Sequence, residues 1–253
     1  MQNRPTSRFI RLFRIARMMA HTLYGALAAV TILPWIGPRG RDLLISHWCR
    51  GLLSCLNIQV RVTGTPPTID CQRTMFVANH ISWVDIHALN SIRAVRFIAK
   101  AEIRDWPVFG WFAYKVNTLF IERAKRHDTG RIVELASESL RAGDNLCFFP
   151  EGTTTDGTHV KPFKSSLLQA AVNAEARIWP FSIHYPGPDG TPNIQMAYHD
   201  DVTLMQSIQQ VLAQPTPVVH LHFSSPLEAG GQDRRTLLTQ ARASILSGLD
   251  LPG

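Results

Sequence analysis

Apolar and polar positions along this chain follow two periods, and each switch between them marks an element. Short apolar or alternating runs predict strands at Ile58–Val62, Thr74–Ala78, Val95–Ala99, Thr118–Ile121, Leu146–Phe149, Ile178–His184 and Val218–Phe223. Several have almost no polar interruption, the pattern of strands buried on both faces. Helical spacing fills the intervals at Trp83–Ile92, Thr129–Ala142, Lys164–Ala174, Thr203–Ala213 and Arg234–Leu249, and a further apolar helix, Leu43–Leu56, precedes them all. Strand and helix in alternation predict an α/β fold, a mixed, mostly parallel sheet flanked by helices, with binding groups at the carboxyl ends of strands. Pro186-Gly187-Pro188-Asp189-Gly190 reads as a turn inside that fold, because strand and helix patterns resume after it. The expected organisation is an N-terminal membrane-associated helical segment, residues 1–56, followed by an α/β domain, residues 57–253.

The amino-terminal pattern is of another kind. Arg4, Arg8, Arg11, Arg14 and Arg17 precede an apolar stretch from Met18 to Ile36, and the last four, three residues apart, read as one basic stripe on a helix. Phe9, Ile10, Leu12, Phe13 and Ile15 lie between them. A basic amphipathic helix suits the level where anionic head groups meet acyl chains. The stretch that follows is about the length that spans a bilayer, but His21 and Pro34 interrupt it. The segment is therefore read as membrane-embedded, with crossing left open. A cleaved signal peptide, ending near Ala26-Leu27-Ala28, and an ordinary packed helix are the competing readings. If the segment is retained, its arginines keep the chain on the cytoplasmic face of the inner membrane.

Composition narrows the class. A chain of 253 residues supports one good-sized core. With 45% hydrophobic and 18% charged residues and no biased tract, disordered, collagen-like and coiled-coil readings fail. A formal charge of +7 favours an anionic partner without choosing among phospholipid, phosphate ester, acidic protein and nucleic acid. Cys49, Cys55, Cys71 and Cys147 lack metal-site spacing and read as reduced thiols.

Three places can do chemistry. Asn79-His80-Ile81-Ser82-Trp83-Val84-Asp85 leaves a strand and enters a helix. A histidine there can act as a general base, and a carboxylate on its far nitrogen fixes the tautomer. A spacing of five is not one helical face, so the pair meets only if His80 lies in the turn before the helix. Ser82 with Asp85 also fits a capping pattern, and the two roles are compatible. Phe148-Phe149-Pro150-Glu151-Gly152-Thr153-Thr154 leaves another strand for a glycine turn whose N–H and hydroxyl groups can face an anion, or which simply connects elements. Thr118-Leu119-Phe120-Ile121-Glu122-Arg123 sets a guanidinium past a third strand, where phosphate binding and an ordinary surface arginine both fit.

Asn79-His80 with Asp85, Phe120-Ile121-Glu122-Arg123, Phe149-Pro150-Glu151-Gly152-Thr153 and Ile178-Trp179-Pro180-Phe181 resemble, in order and spacing, the four motifs of the glycerolipid acyltransferases that acylate lysophosphatidic acid. The resemblance implies transfer of a fatty acyl group from acyl-CoA or acyl-carrier protein to the free hydroxyl of a lysophospholipid, with no metal and no cofactor. It implies that His80 takes the hydroxyl proton as the oxygen attacks the thioester and that Asp85 steadies the charged ring. It further implies that Arg123 binds the acceptor phosphate and that Glu151 and Gly152, with Thr153, form the acceptor pocket. Lys100 is a further contact, and Pro180 belongs to the acyl side. One departure stands out: the third motif often continues with arginine and serine, where this chain has Thr154-Thr155-Asp156-Gly157. Lys161 or Lys164 then compensates, or the head group differs. That continuation is similar to lyso-ornithine lipid acyltransferases.

A thioesterase would use the same base on water, and a membrane-surface adaptor would use the motif residues only as caps and turns. Nucleic-acid binding fits the charge but lacks a recognition module, and no nucleic-acid partner is expected.

Overall fold

The computed structural model describes residues 5–122 and 126–249. Two helices come first, α1 (Arg8–Thr31) and α2 (Pro38–Cys55), then β1 (Gln59–Gly64), β2 (Thr74–Ala78), α3 (Val84–Ile92) and β3 (Arg96–Lys100). A 3₁₀ turn at Ala101–Asp105 leads to α4 (Phe109–Lys115), β4 (Leu119–Ile121), α5 (Arg126–Arg141), β5 (Asn145–Phe148), α6 (Leu168–Asn173) and β6 (Arg177–His184). The chain ends with a second 3₁₀ turn at Ile194–Met196, α7 (Leu204–Ala213), β7 (Val218–Phe223), β8 (Leu227–Glu228) and α8 (Arg234–Gly248).

The strands form one sheet in the order β1-β7-β6-β2-β5-β3-β4, with β8 also on β6. Every pairing is parallel except β6–β7 and β6–β8. β2 lies between β5 and β6 with all five residues buried, and its side chains alternate between two cores. Phe76 and Ala78 point to a core shared with Trp83, Val84, Phe181 and Phe223, and Met75 and Val77 to one built with Leu140, Leu146, Leu168 and Ile245. Helices cover both faces, as parallel strands require. The consequence for function is positional: β2, β5 and β6 run the same way, so their carboxyl ends open at one rim.

α1 buries Gly25, Ala28 and Ala29 and leaves a stripe of larger apolar side chains outside. Phe9, Leu12, Phe13, Met19, Leu23, Leu27 and Val30 recur at helical spacing and are exposed, and Trp35 beyond the helix is 85% exposed. Two of its polar residues, Arg14 and His21, turn inward, while Arg8 and Arg17 stay exposed. Arg14, expected in the basic stripe, is buried, and its guanidinium donates to the Gln214 and Pro215 carbonyls at 2.7 and 2.6 Å. It thus satisfies carbonyls that end α7, while Thr6 donates to the Leu212 carbonyl at 2.8 Å. His21, which broke the apolar run in the sequence, faces α2: its Nε2 donates to the Trp48 carbonyl at 2.8 Å and Trp48 Nε1 returns a bond to the His21 carbonyl at 3.2 Å. Among the described residues no helix is long and apolar enough to cross a membrane. Arg4 lies outside the described residues.

Two glycines permit the α1–α2 contact. A Cβ on Gly25 would stand 2.0 Å from Trp48 Nε1, and one on Gly51 would stand 2.3 Å from His21 Cε1. Gly25→Ala and Gly51→Ala should each cost about 1–3 kcal/mol by forcing these rings aside, read as a fall in the thermal unfolding midpoint. Gly130→Ala is the control, because nothing lies within 4 Å of its Cβ position, and it should not lower the midpoint.

Candidate active site

The site begins where β2 stops pairing. Ala78 is the last residue of β2 in register with β6, opposite Phe181. Asn79 then continues the ladder with its side chain, Nδ2 donating to the Ile183 carbonyl at 2.9 Å and Oδ1 accepting from Ile183 N at 2.8 Å. The main chain is thereby freed to turn out of the sheet, and His80 leaves over the rim. Its Nδ1 donates to Asp85 Oδ2 at 2.8 Å, with the ring 17% exposed and the carboxylate fully buried. The spacing of five is bridged as the sequence required, by a turn before α3. Asp85 also holds the turn before α3, because Oδ2 accepts from Ile81 N at 2.8 Å and Ser82 N at 2.9 Å, while the helix's own N-cap, Trp83, has no side-chain cap. No hydrogen bond among the described residues engages His80 Nε2. A proton on Nδ1 leaves Nε2 with its lone pair, the arrangement of a general base.

β5 supplies the other half. Phe149 lies flat on the His80 ring, 3.8 Å between centroids and 4° between planes, and is backed by Phe97. Glu151 is 4% exposed, and both its oxygens are engaged by backbone: Oε1 accepts from His80 N at 2.8 Å and Oε2 from Lys161 N at 2.7 Å. The Thr155 N–H adds a bond to the His80 carbonyl at 2.9 Å, so the loop after β2 and the loop after β5 are sewn together. Glu151 is therefore a clamp between loops, and both of its carboxylate oxygens are taken up by the segments it joins. Gly152 makes the turn possible at φ +76°, a left-handed conformation that suits glycine.

Burial pushes the Glu151 carboxyl up to about 7, against the pull of the two N–H donors and Lys161. A carboxyl raised in the fold stabilises the folded chain fully below its ordinary value near 4.5 and loses that contribution as pH rises through about 7. Glu151→Gln should remove this dependence. Between pH 5 and 8 the parent should lose up to about 3 kcal/mol relative to the variant, measured by denaturant unfolding at constant ionic strength.

The remaining expected residues fall as follows. Lys100 ends β3 and is exposed at the same rim, since β3 is parallel to β5. Thr153 is exposed. Arg123 lies outside the described residues. Pro180 sits within β6 opposite Val77, buried in the sheet beside β2. Thr154 and Thr155, which stand where arginine and serine often follow, hold the loop: the Thr154 hydroxyl donates to the Tyr198 carbonyl. Lys161 is half-buried and Lys164 exposed. Asp156, 30% exposed, accepts from Thr158 N and Oγ1 at 2.9 and 2.7 Å and stands 3.3 Å from His159 Nδ1. Among the described residues no three His, Cys, Asp or Glu side chains form a metal-holding group, and the four cysteines are buried and unpaired.

Sequence reasoning missed Tyr185. Its ring is buried on the Phe181–Ile183 face just past β6, and its hydroxyl donates to Asp85 Oδ1 at 2.6 Å. Burial first, then the adjacent Asp85 charge, holds the phenol far above its ordinary value, so it stays a donor. The alternation Phe181, Ile183, Tyr185 was the available signal, since it carries a hydroxyl to the strand end on the buried face.

The family described as Acyltransferase matches residues 59–184, which contain His80, Asp85 and Glu151 and end one residue before Tyr185. The chain is 36% identical over 205 residues to the lyso-ornithine lipid O-acyltransferase of Pseudomonas aeruginosa, covering 81% of this chain and 78% of that one. The chain belongs to the acyltransferase family. The acyltransferase is also 30% identical over 246 residues to the 1-acyl-sn-glycerol-3-phosphate acyltransferase of Neisseria meningitidis serogroup B, covering 97% and 95% of the two chains. The crystal structure of the 1-acyl-sn-glycerophosphate acyltransferase PlsC from Thermotoga maritima superposes with a TM-score of 0.65 over 94% of this chain and 96% of that chain. At 22% identity that likeness establishes a shared α/β fold.

Proposed function

We propose that this enzyme moves a fatty acyl group from the thioester of acyl-CoA or acyl-carrier protein to the free hydroxyl of a lysophospholipid, 1-acyl-sn-glycerol-3-phosphate being the leading acceptor. The observation that carries the reading is His80 at the rim, bonded through Nδ1 to buried Asp85 at 2.8 Å and presenting Nε2. In the forward step Nε2 takes the acceptor hydroxyl proton as the oxygen attacks the thioester carbonyl. The thiolate then leaves and takes that proton back from the imidazolium. Asp85 supports the ring while it is charged. Lys100 and Arg123 supply cationic contacts for the acceptor phosphate, with Gly152 and Thr153 in the loop beside it.

A second acceptor, a lyso-ornithine lipid, is favoured by one feature. Where an arginine often follows Thr153 this chain has none, and Asp156, a partly exposed carboxylate, occupies the loop instead. A carboxylate there suits an ammonium better than a phosphate.

The exposed apolar stripe of α1, with exposed Trp35, Leu43 and Tyr114 beside Arg8, Arg11 and Arg17, supports a membrane-surface setting on the cytoplasmic face of the inner membrane. The test is a panel in which purified enzyme receives labelled acyl-CoA or acyl-carrier protein with phosphate-bearing and ornithine-bearing lysolipids in vesicles. Labelled phosphatidic acid supports the leading acceptor, and diacylated ornithine lipid alone supports the second. Free fatty acid with no acylated lipid overturns both.

A further inference from the structure

Asp85 receives four donors: His80 Nδ1, Ile81 N and Ser82 N on Oδ2, and the Tyr185 hydroxyl on Oδ1. Three come from the chain on either side of the turn into α3. Tyr185 alone arrives from another part of the chain, just past the end of β6 and 100 residues on. One carboxylate thus joins the turn before α3, the Tyr185 phenol and the His80 ring. A phenylalanine would fill the same space among Phe181, Ile183 and Ala78. A buried hydroxyl without a partner is costly, so the oxygen at this point needs its carboxylate.

We infer that Tyr185 is a positioning residue for acyl transfer, orienting the Asp85 carboxylate and sharing its negative charge so that His80 keeps its proton on Nδ1 and its lone pair on Nε2. The inference rests on the proposed role of His80 and goes beyond it by tying the base to β6. Oδ1 and Oδ2 lie in one plane, so a bond that fixes Oδ1 also fixes the direction from which Oδ2 meets the imidazole. A donor on Oδ1 withdraws charge from the carboxylate, which tempers its hold on the imidazolium and favours return of the proton to the departing thiolate.

The test compares the full-length parent with Tyr185→Phe, His80→Ala, Asp85→Asn and the Asp85→Asn/Tyr185→Phe double variant. The probes are acyl-CoA with 1-acyl-sn-glycerol-3-phosphate or lyso-ornithine lipid in vesicles. Tyr185→Phe should lower kcat by roughly 10-fold to 100-fold with KM for the lysolipid unchanged. The acidic limb of its kcat/KM profile should move to higher pH, because Asp85 without the phenol holds the imidazolium more tightly. Other titratable groups facing this cluster are Glu151, at the His80 N–H, Cys147, whose thiol is pushed far up by burial and then by Asp85, and Lys161 beyond Glu151. None of these is altered by the substitution. In the Asp85→Asn background the loss of the hydroxyl should add little. If Tyr185→Phe fails to fold, 3-fluorotyrosine placed at position 185 strengthens the donor at nearly constant size and should move the acidic limb to lower pH.

An unchanged kcat and pH profile in Tyr185→Phe, with His80→Ala inactive, overturns the inference. So does a slowed enzyme whose limb stays in place and whose loss adds fully to that of Asp85→Asn, because that marks a packing role. Full activity in His80→Ala is a different failure, which removes the base itself.

Discussion

His80→Ala should bind lysolipid vesicles like the parent and turn over about 10²–10⁴ times more slowly, the usual contribution of a positioned general base. The ring is partly exposed, and its removal leaves Asp85 with the Ile81 and Ser82 N–H groups and the Tyr185 hydroxyl, so the fold keeps its buried carboxylate satisfied. Steady-state kinetics on vesicles, with binding measured separately by flotation, read the two quantities apart. An adaptor would keep its binding and show no turnover to lose. A parent rate within a few-fold of the variant would remove His80 from the chemistry.

Asp85→Asn is the second large effect, and it separates charge from shape. An amide oxygen at the Oδ2 position can still accept from Ile81 N, Ser82 N and His80 Nδ1, while the amide nitrogen at the Oδ1 position can donate to the Tyr185 oxygen. The variant should therefore fold, with a stability loss of about 1–2 kcal/mol from exchanging charged for neutral hydrogen bonds. What disappears is the negative charge beside a ring that must become positive. Turnover should fall roughly 100-fold or more, read as kcat with the midpoint of thermal unfolding as control. Asp85→Ala should instead unfold at much lower temperature, because it strands two buried N–H groups and a phenol.

Strands were legible because their signal is local. β2 and β7 coincide with the expected Thr74–Ala78 and Val218–Phe223, and the other strand ends moved by a residue or two. α6 proved shorter than Lys164–Ala174, starting at Leu168, because Lys164 N bonds to the Pro150 carbonyl and the preceding stretch is used to grip Glu151. α4 was not anticipated: its seven residues are too few for a helical period to declare itself, and Gly110 packs under the Arg104 carbonyl, which is a tertiary contact. The antiparallel β6–β7 pairing was foreseen only as a mixed sheet, since the period of a strand does not encode its neighbour's direction.

The site divided along the same line. His80 with Asp85 could be read because both lie in one turn, and the resemblance sharpened that reading. Arg14 could not, because a cation at helical spacing looks the same whether it meets head groups or the open end of α7. Glu151 was expected to shape the acceptor pocket; its partners, two backbone N–H groups, one of them 71 residues away, have no mark in the sequence. Tyr185 carries no local mark at all, since its meaning depends on β6 lying beside β2.

The Glu151 clamp bears on attempts to retool this catalyst. Because one carboxylate bonds both the segment bearing His80 and the loop that follows β5, the two are tied together as one unit. A graft from a relative that exchanges only the stretch 156–160 leaves Glu151, the Thr155 N–H and the Lys161 N–H in place, so it should vary that loop without loosening the bonds that hold the His80 segment.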